Sequence, residues 1–405
     1  MKKIQLGLIF GGRSCEHEVS VISALQLSHS VNREKYDLYP IYINKNGEWF
    51  SGPALLKLET FKEPILYNEP GKYERVTLDV TAHSGALIAV RPGKWIYSRP
   101  QTTILTHLDC VIPVMHGLHG EDGTLQGLLE LADIPYTSTG VVGSAAGMDK
   151  IIMKNVFRGG GIPVLNDVAV LRSEWQKDPQ GVIGQVEKSL PYPVFVKPAN
   201  LGSSIGVSRA DDREGLKESL DLACAYDRRI LVEQGVDHPL EVNCSVLGFD
   251  DDVRPSVIEM PVTHGKLLDF AEKYLRNGGG TKGMASLSRV IPAPIGEELT
   301  ERVRSLSLKV FRLLDCKGVV RIDWMIDPKT DALYITEINT IPGSLSFYLW
   351  KESEPRLRYP KLIDQMVEYA LRAHREKNEN TYAFRSDLFT RMNLQGSKGS
   401  KGVKG

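Results

Sequence analysis

Three oxygen-bearing residues near the C-terminal end have the types and spacing to hold a hard metal ion. Asp323 lies in the run Val319-Val-Arg-Ile-Asp-Trp-Met-Ile326, and Glu337 and Asn339 end the run Leu333-Tyr-Ile-Thr-Glu-Ile-Asn339. Between them Asp327-Pro-Lys-Thr-Asp331 is a turn signal, so the two runs read as a β-hairpin. Side chains alternate along a strand, which puts Arg321 with Asp323 and Glu337 with Asn339, while Ile338 points away. A turn centred near Lys329 and Thr330 brings Asp323 beside Glu337. Two carboxylates and an amide oxygen suit Mg²⁺ bridged to ATP phosphates. A solvated polar hairpin face is the alternative reading of the same pattern.

Four further constellations could serve that chemistry. Lys197 ends an apolar strand and is followed by Asn200-Leu-Gly-Ser-Ser-Ile-Gly206, whose glycines let backbone N–H groups approach phosphates. This is neither a Walker A nor a dinucleotide fingerprint, and an ordinary glycine hairpin is the alternative. Leu231-Val-Glu-Gln-Gly235 turns polar at its end, where an adenine could find a donor and an acceptor; a capped strand end would look the same. Gly11-Gly12-Arg13-Ser14-Cys15-Glu16 joins the first strand to the first helix, a common receiving point for carboxylates and amines. His116-Gly117 and Gly120-Glu-Asp-Gly123 follow an apolar strand; a lone histidine there packs or hydrogen-bonds more often than it catalyses.

The elements that must position these residues fall into two patterns. Ile4–Phe10 reads as a buried strand, Glu18–Val31 as a helix, Leu38–Ile43 and Cys110–Val114 as strands, and Leu125–Leu131 as a helix. Strands alternating with helices imply a parallel sheet in an α/β domain spanning residues 1–147. Residues 149–158 read as a helix, Asn166–Leu171 and Val194–Lys197 as strands, and Glu174–Ser189 as one helix. With the helix Arg213–Ala223 and the strand Arg229–Glu233 they form a compact α+β unit over 148–235. Strands Glu241–Leu247, Ser256–Met260, Val319–Ile326 and Leu333–Ile338, with helices Glu297–Leu314 and Lys361–Ala373, make a third unit over 236–376. Lys273–Ser286 is Gly-rich and aperiodic, the pattern of a lid. Residues 377–405 read as a disordered tail that ends in the low-complexity run 396–405.

Composition narrows the class. The 405 residues are 42% hydrophobic and 25% charged, which suits a folded protein of several domains and excludes disorder. Fifty basic and fifty acidic residues cancel, so no global field draws nucleic acid or an anionic membrane. No apolar run reaches the roughly 18–20 residues of a membrane helix. Met1-Lys2-Lys3 before Ile4–Phe10 lacks a small-residue cleavage site and reads as a strand, not a leader. Five scattered cysteines without a CxxC indicate a reducing compartment, and the expectation is a cytoplasmic protein.

The order GGRSCEHEVS, MHGLHGEDGTLQGLLE, MDK, VFVKPANLGSSIGVS, LVEQ, EKY, GVVRIDWM and EINTIPG closely resembles the D-alanine–D-alanine ligase family of the ATP-grasp superfamily, from about Lys3 to about Arg372. The resemblance implies an ATP-grasp fold with three domains, the first an N-terminal α/β domain. It implies ATP-dependent ligation of two D-alanines through D-alanyl phosphate, for peptidoglycan synthesis. Lys150 and Lys197 would hold ATP phosphates, Glu233 would be the adenine hinge and Glu241 the ribose ligand, with Ser204, Gln234 and Lys273 also on the nucleotide side. Asp323, Glu337 and Asn339 would bind two Mg²⁺, for which Mn²⁺ can substitute. Glu16 would take the ammonium of the first D-alanine, in a network with Ser203 and Tyr274. His116 would lie near that substrate, and Arg321 and Gly343 at the reacting carboxyl. A homodimer is a further implication.

One departure stands out. After Pro342-Gly343 the family usually continues with a Thr-Ser-His-Ser-like run that contacts the second substrate, and this chain has Ser344-Leu-Ser-Phe-Tyr-Leu-Trp350. Two alternatives follow: a sister ligase making D-alanyl-D-lactate, D-alanyl-D-serine or another dipeptide-like product, or an ATP-binding regulator without catalysis. Intact Lys150, Lys197, Arg321, Asp323, Glu337 and Asn339 speak against the regulator.

Overall fold

The computed structural model describes residues 2–65, 68, 69, 71–91, 93, 99–262 and 289–381. Three sheets organise them. The first holds β1 (Ile4–Gly11), β2 (Tyr36–Ile43), β3 (Trp49–Ser51), β4 (Glu74–Leu78), β5 (Ala86–Arg91), β6 (Gln101–His107) and β7 (Cys110–Val114), in the order β6-β5-β4-β3-β2-β1-β7. Only β1 pairs in parallel, with β2 and β7. The expected parallel sheet is therefore confined to these three strands, and β3 to β6 extend it antiparallel. The β2–β3 and β4–β5 connections are too short for helical crossovers, which leaves hairpins as the available geometry, whereas the longer β3–β4 connection carries two short 3-10 helices, Pro53–Leu56 and Leu58–Lys62. Helix α1 (His17–Ser30) crosses from β1 to β2, and α2 (Thr124–Leu131) follows β7.

Helices α3 (Val141–Met148) and α4 (Lys150–Gly159) lead to the second sheet. It contains β8 (Asp167–Leu171), β9 (Val194–Pro198), β10 (Ser208–Ala210) and β11 (Arg229–Gln234), antiparallel in the order β10-β9-β11-β8. The single helix expected over 174–189 is two, Arg172–Lys177 and Pro179–Ser189. Pro179 has no N–H to continue the first helix but suits the first turn of the second, and Asp178 caps that turn by accepting from Gly181 N. Ile183, Val186, Leu216 and Leu220 of the covering helices pack on Val168, Val170, Val196 and Ile230 of the sheet.

The third sheet contains β12 (Leu240–Phe249), β13 (Asp252–Pro261), β14 (Arg289–Val290), β15 (Gly318–Asp327) and β16 (Ala332–Asn339), in the order β14-β13-β12-β15-β16. One face is apolar: Val242, Cys244, Ile322, Trp324, Ile335 and Ile338 pack with Val303, Val310 and Phe311 of the helix Glu297–Leu313. The other face is free to carry polar groups. Helix Tyr359–Asn378 returns to the first sheet, where Leu362, Ile363, Met366 and Val367 join Leu6, Leu8 and Phe10 in one cluster that also takes in Val319, Ile341 and Leu345. The first and third sheets thus share a core. That helix ends two residues inside the segment expected as tail. The expected lid 273–286, with Lys273 and Tyr274, and the residues after 381 lie outside the described residues.

Candidate active site

Strand register builds a polar row across the third sheet. Asn243 of β12 lies opposite Glu259 of β13 on one side and Asp323 of β15 on the other, and Asp323 lies opposite Glu337 of β16. Directly opposed residues share a face, so Glu259, Asn243, Asp323 and Glu337 run in line. In the next row, Ser245, Arg321 and Asn339 are opposed. Arg321 grips Asp323 in a fork, Nε to Oδ1 and an Nη to Oδ2, both at 2.6 Å, and the Asn339 amide reaches Oδ2 at 3.1 Å. Burial pushes the Asp323 carboxyl up to about 6 against the pull of Arg321, and the charge of Glu337 adds to the rise. Two carboxylates and an amide on one partly buried face are a hard-oxygen donor set of the kind that fits a divalent cation.

Lysines come from the second sheet and α4. The Asp149 carboxylate caps α4, accepting from Ile151 N and Ile152 N at 3.0 Å, and pairs with Arg229. This sets the direction of Lys150, whose Nζ donates to Leu201 O at 2.6 Å and so ties the glycine-serine loop to the helix. Burial lowers the Lys150 pKa, while Glu337 works in its favour. Lys197 donates to Glu233 Oε2 at 2.5 Å. Burial opposes the Lys197 charge, yet Glu233 outweighs it and raises the pKa.

Glu233 faces a second cation absent from the sequence reading. Lys154, only 1% exposed, bonds to Glu233 Oε1 and lies 3.3 Å from Asp167. Burial alone would raise the Glu233 pKa; the two lysines hold it down at about 2. Both side-chain oxygens of the expected adenine hinge are thus engaged by lysines. The signal for Lys154 was its position four residues after Lys150, among the apolar residues of one helix face. Gln234 accepts from the Asn166 amide at 3.1 Å at the end of β11. Glu241 lies exposed at the start of β12, on the face of Asn243 and near enough to Lys197 to favour its charge.

Three loops meet at Glu16. Ser203 Oγ donates to Glu16 Oε1, as expected. Gly117, at φ +72°, lies so close that a Cβ there would come within 2.6 Å of Glu16 Oε2, and one on Gly202 within 3.0 Å. At Gly117 the left-handed backbone also disfavours a side chain, and at Gly202 one would push on the carboxylate, so Glu16 sits against backbone on these two sides. Ser203 and Ser204 themselves hold left-handed backbones, at φ 53° and 59°. The Tyr274 arm of the expected network lies outside the described residues.

His116 lies near enough to Glu16 for that carboxylate to favour its charge. It is buried, with Nδ1 2.8 Å from Ile341 O and Nε2 3.1 Å from Ser23 Oγ. Both ring nitrogens are therefore engaged by protein. Burial lowers its pKa and keeps the ring neutral. Gly343 opens a short turn in which Ser344, Leu345 and Ser346 have φ near 50°. Thr340 Oγ1 and Ser346 Oγ are buried without a hydrogen-bond partner among the described residues. Asn243 and Glu259 escaped the sequence reading, although polar residues alternating with Val242, Cys244 and Val246 were a visible sign of Asn243.

A lysine-lined antiparallel unit facing an acidic sheet face, behind an N-terminal α/β unit, is the fold of ATP-grasp enzymes. Family models describe the halves as D-ala D-ala ligase N-terminus over residues 5–139 and D-ala D-ala ligase C-terminus over residues 156–368. The D-alanine–D-alanine ligase of Natranaerobius thermophilus is 37% identical over 391 residues, covering 95% of this chain and 99% of that one. The ligase of Acetivibrio thermocellus is 38% identical over 382 residues, with 91% and 96% covered. Among solved structures, the D-alanine–D-alanine ligase of Coxiella burnetii superposes with a TM-score of 0.75 at 26% identity, covering 94% of this chain and 97% of that one. The VanG D-Ala:D-Ser ligase of Enterococcus faecalis gives 0.74 at 28%, with 91% and 100% covered. The chain belongs to the D-alanine–D-alanine ligase family.

Proposed function

We propose that this protein uses ATP to join two molecules of D-alanine into D-alanyl-D-alanine for peptidoglycan, in the bacterial cytoplasm and as a homodimer. The observation that carries the reading is the row Asp323–Glu337 with Arg321 and Asn339 beside it, reached by Lys150 and Lys197. Among the described residues no helix is long and apolar enough to cross a membrane. Residues 1–147, 148–235 and 236–376 act as the substrate, nucleotide and catalytic units.

A carboxylate resists attack by an amine because oxide cannot leave. Its oxygen therefore first attacks the γ-phosphorus of ATP, ADP departs, and D-alanyl phosphate forms. The neutral amine of the second D-alanine then attacks the acyl carbon, the oxyanion collapses, and inorganic phosphate leaves. Glu16, oriented by Ser203, receives the first ammonium. Lys150 and Lys197 receive phosphate oxygens, Lys150 also holding the loop that carries Ser204. Gln234 and the β11 backbone beside Glu233 receive adenine, and Glu241 receives the ribose. Arg321 and the Gly343 N–H stabilise the oxyanion. The family pattern assigns Lys273 to the nucleotide and Tyr274 to the Glu16 network, and the acyl phosphate must be kept from water. Asp323, Glu337 and Asn339 would hold two Mg²⁺, which would supply neutralisation of phosphate charge.

The experiment is phosphate release with ATP, Mg²⁺ and D-alanine, repeated with D-lactate or D-serine as second substrate, with products identified by mass. D-alanyl-D-alanine as the main product supports the reading. Mostly depsipeptide or D-alanyl-D-serine moves it to a sister ligase, and no turnover with any of them favours a regulator.

A further inference from the structure

The Ile341 peptide is held on both sides by the N-terminal unit. Its N–H donates to Glu121 Oε1 at 2.7 Å, and its carbonyl accepts from His116 Nδ1 at 2.8 Å. The other Glu121 oxygen accepts from Gly117 N at 2.9 Å, in the loop that cradles Glu16. Because a carbonyl can only accept, the His116 proton is on Nδ1, and Nε2 accepts from the Ser23 hydroxyl. Ser23 Oγ in turn accepts from Ser344 N at 3.2 Å, and Ser344 Oγ donates to Gln26 at 2.6 Å. One directed chain thus runs from Ser344 through Ser23 and His116 to Ile341.

The segment it holds is one that the chain would not adopt unaided. Ser344, Leu345 and Ser346 stand in succession at φ 50°, 52° and 50°. Left-handed backbone is disfavoured for a side chain such as leucine and persists only where its surroundings fix it. Leu345 is buried in the core shared with β1, and Leu345 N donates to Pro342 O at 2.8 Å.

We propose that Glu121 and His116 are positioning residues that, with Ser23, template the strained turn from Gly343 to Ser346 from the N-terminal unit. The turn carries the Gly343 N–H assigned above to the oxyanion, so the kinetic part rests on that reading. The clamp couples the first-substrate cradle, through Gly117, to the place where the second amine attacks.

The test compares wild type with Glu121→Gln, which keeps the shape but turns an NH₂ toward one of the two N–H donors, and with the milder Ser23→Ala. Hydrogen exchange over residues 340–346 reads the clamp without any activity. Both variants should exchange faster there, with β8–β11 unchanged. In Glu121→Gln the KM for the second D-alanine should rise roughly tenfold or more, and more phosphate should be released per dipeptide, while the ATP KM stays within about twofold. Glu121→Asp should recover part of the coupling. Unchanged exchange over 340–346 in both variants overturns the proposal. So does a lowered melting temperature with ATP and D-alanine KM values moving together. If Glu121→Gln fails to fold, Ser23→Ala decides by the exchange criterion alone. If wild type makes no dipeptide, the proposed function fails, and the exchange result still decides the clamp.

Discussion

Asp323 and Glu337 face each other across β15 and β16 because one extra residue, Thr336, interrupts the ladder between them. Nearer the turn, Trp324 opposes Ile335 and Asp327 opposes Ala332; beyond Thr336, Asp323 opposes Glu337 and Arg321 opposes Asn339. Thr336 Oγ1 donates to Asp323 O at 2.9 Å across the irregularity. A bulge of this kind re-aims the side chains that follow it. Here it moves Glu337 and Asn339 onto the face of Asp323.

Deleting Thr336 should therefore leave the site assembled and ligation within a few-fold of wild type. The shortened strand pairs without the bulge, Trp324 opposite Ile335 and Asp323 opposite Glu337, so Glu337 and Asn339 stay on the polar face and Ile338 on the apolar one. Thr336→Ala keeps the residue count, loses one hydrogen bond worth about 1 kcal/mol, and should stay within a few-fold of wild-type kcat. Steady-state rates of the two variants check this. A deletion variant that has lost ligation would show that pairing of Asp323 with Glu337 does not suffice to set the site.

Lys154→Met should destabilise the protein by about 3 kcal/mol, since removing one member of a buried ionic cluster leaves its partners undercompensated. Glu233 would then draw on Lys197 alone, and the ATP KM should rise. Denaturant unfolding and ATP kinetics test both effects. Stability within 1 kcal/mol of wild type together with an unchanged ATP KM would mean that Lys154 is a bystander.

Much of this site could be read before the fold was known, and the reasons differ by residue. Asp323, Glu337 and Asn339 were legible because strand alternation is local, and the parity break from Leu333 and Ile335 to Ile338 is written in the sequence. The Glu16–Ser203 bond, 187 residues apart, followed only from the family pattern, because no local rule joins those loops. Lys154 was hidden by its apolar neighbours, and a buried lysine is explicable only once Glu233 and Asp167 are seen around it. The antiparallel half of the first sheet was missed because β3 to β6 are short strands with weak alternation. The His116 bond to Ile341, 225 residues away, could not be read from any local pattern.

Lys317 offers a pH test outside the site. It lies over the Tyr136 ring, 4.0 Å from the centroid, and burial pulls its pKa down to about 8. The folded state thus holds the proton less tightly than the unfolded chain. Stability should rise with pH between about 8 and about 10.5, where only the unfolded chain binds the proton, and below about 8 the folded state carries the full cost of the buried charge. Lys317→Met should raise stability at pH 7 by about 1 kcal/mol, the lost cation–π contact offsetting part of the gain, and the advantage should shrink by pH 10. Melting temperatures at pH 7 and pH 10 check the sign. A variant less stable than wild type at pH 7 would show that the ammonium is favourably held.

The central claim is that a D-alanine carboxylate is phosphorylated before the amine attacks. The direct measurement uses D-alanine carrying ¹⁸O in both carboxylate oxygens, with ATP and Mg²⁺ in ordinary water, and reads phosphate and dipeptide by mass. An acyl phosphate places one carboxylate oxygen in the bridge to phosphorus, and cleavage of the C–O bond sends it out with the phosphate. The account predicts one ¹⁸O in each phosphate released and D-alanyl-D-alanine that retains three. Unlabelled phosphate, or AMP and pyrophosphate in place of ADP and phosphate, would contradict it.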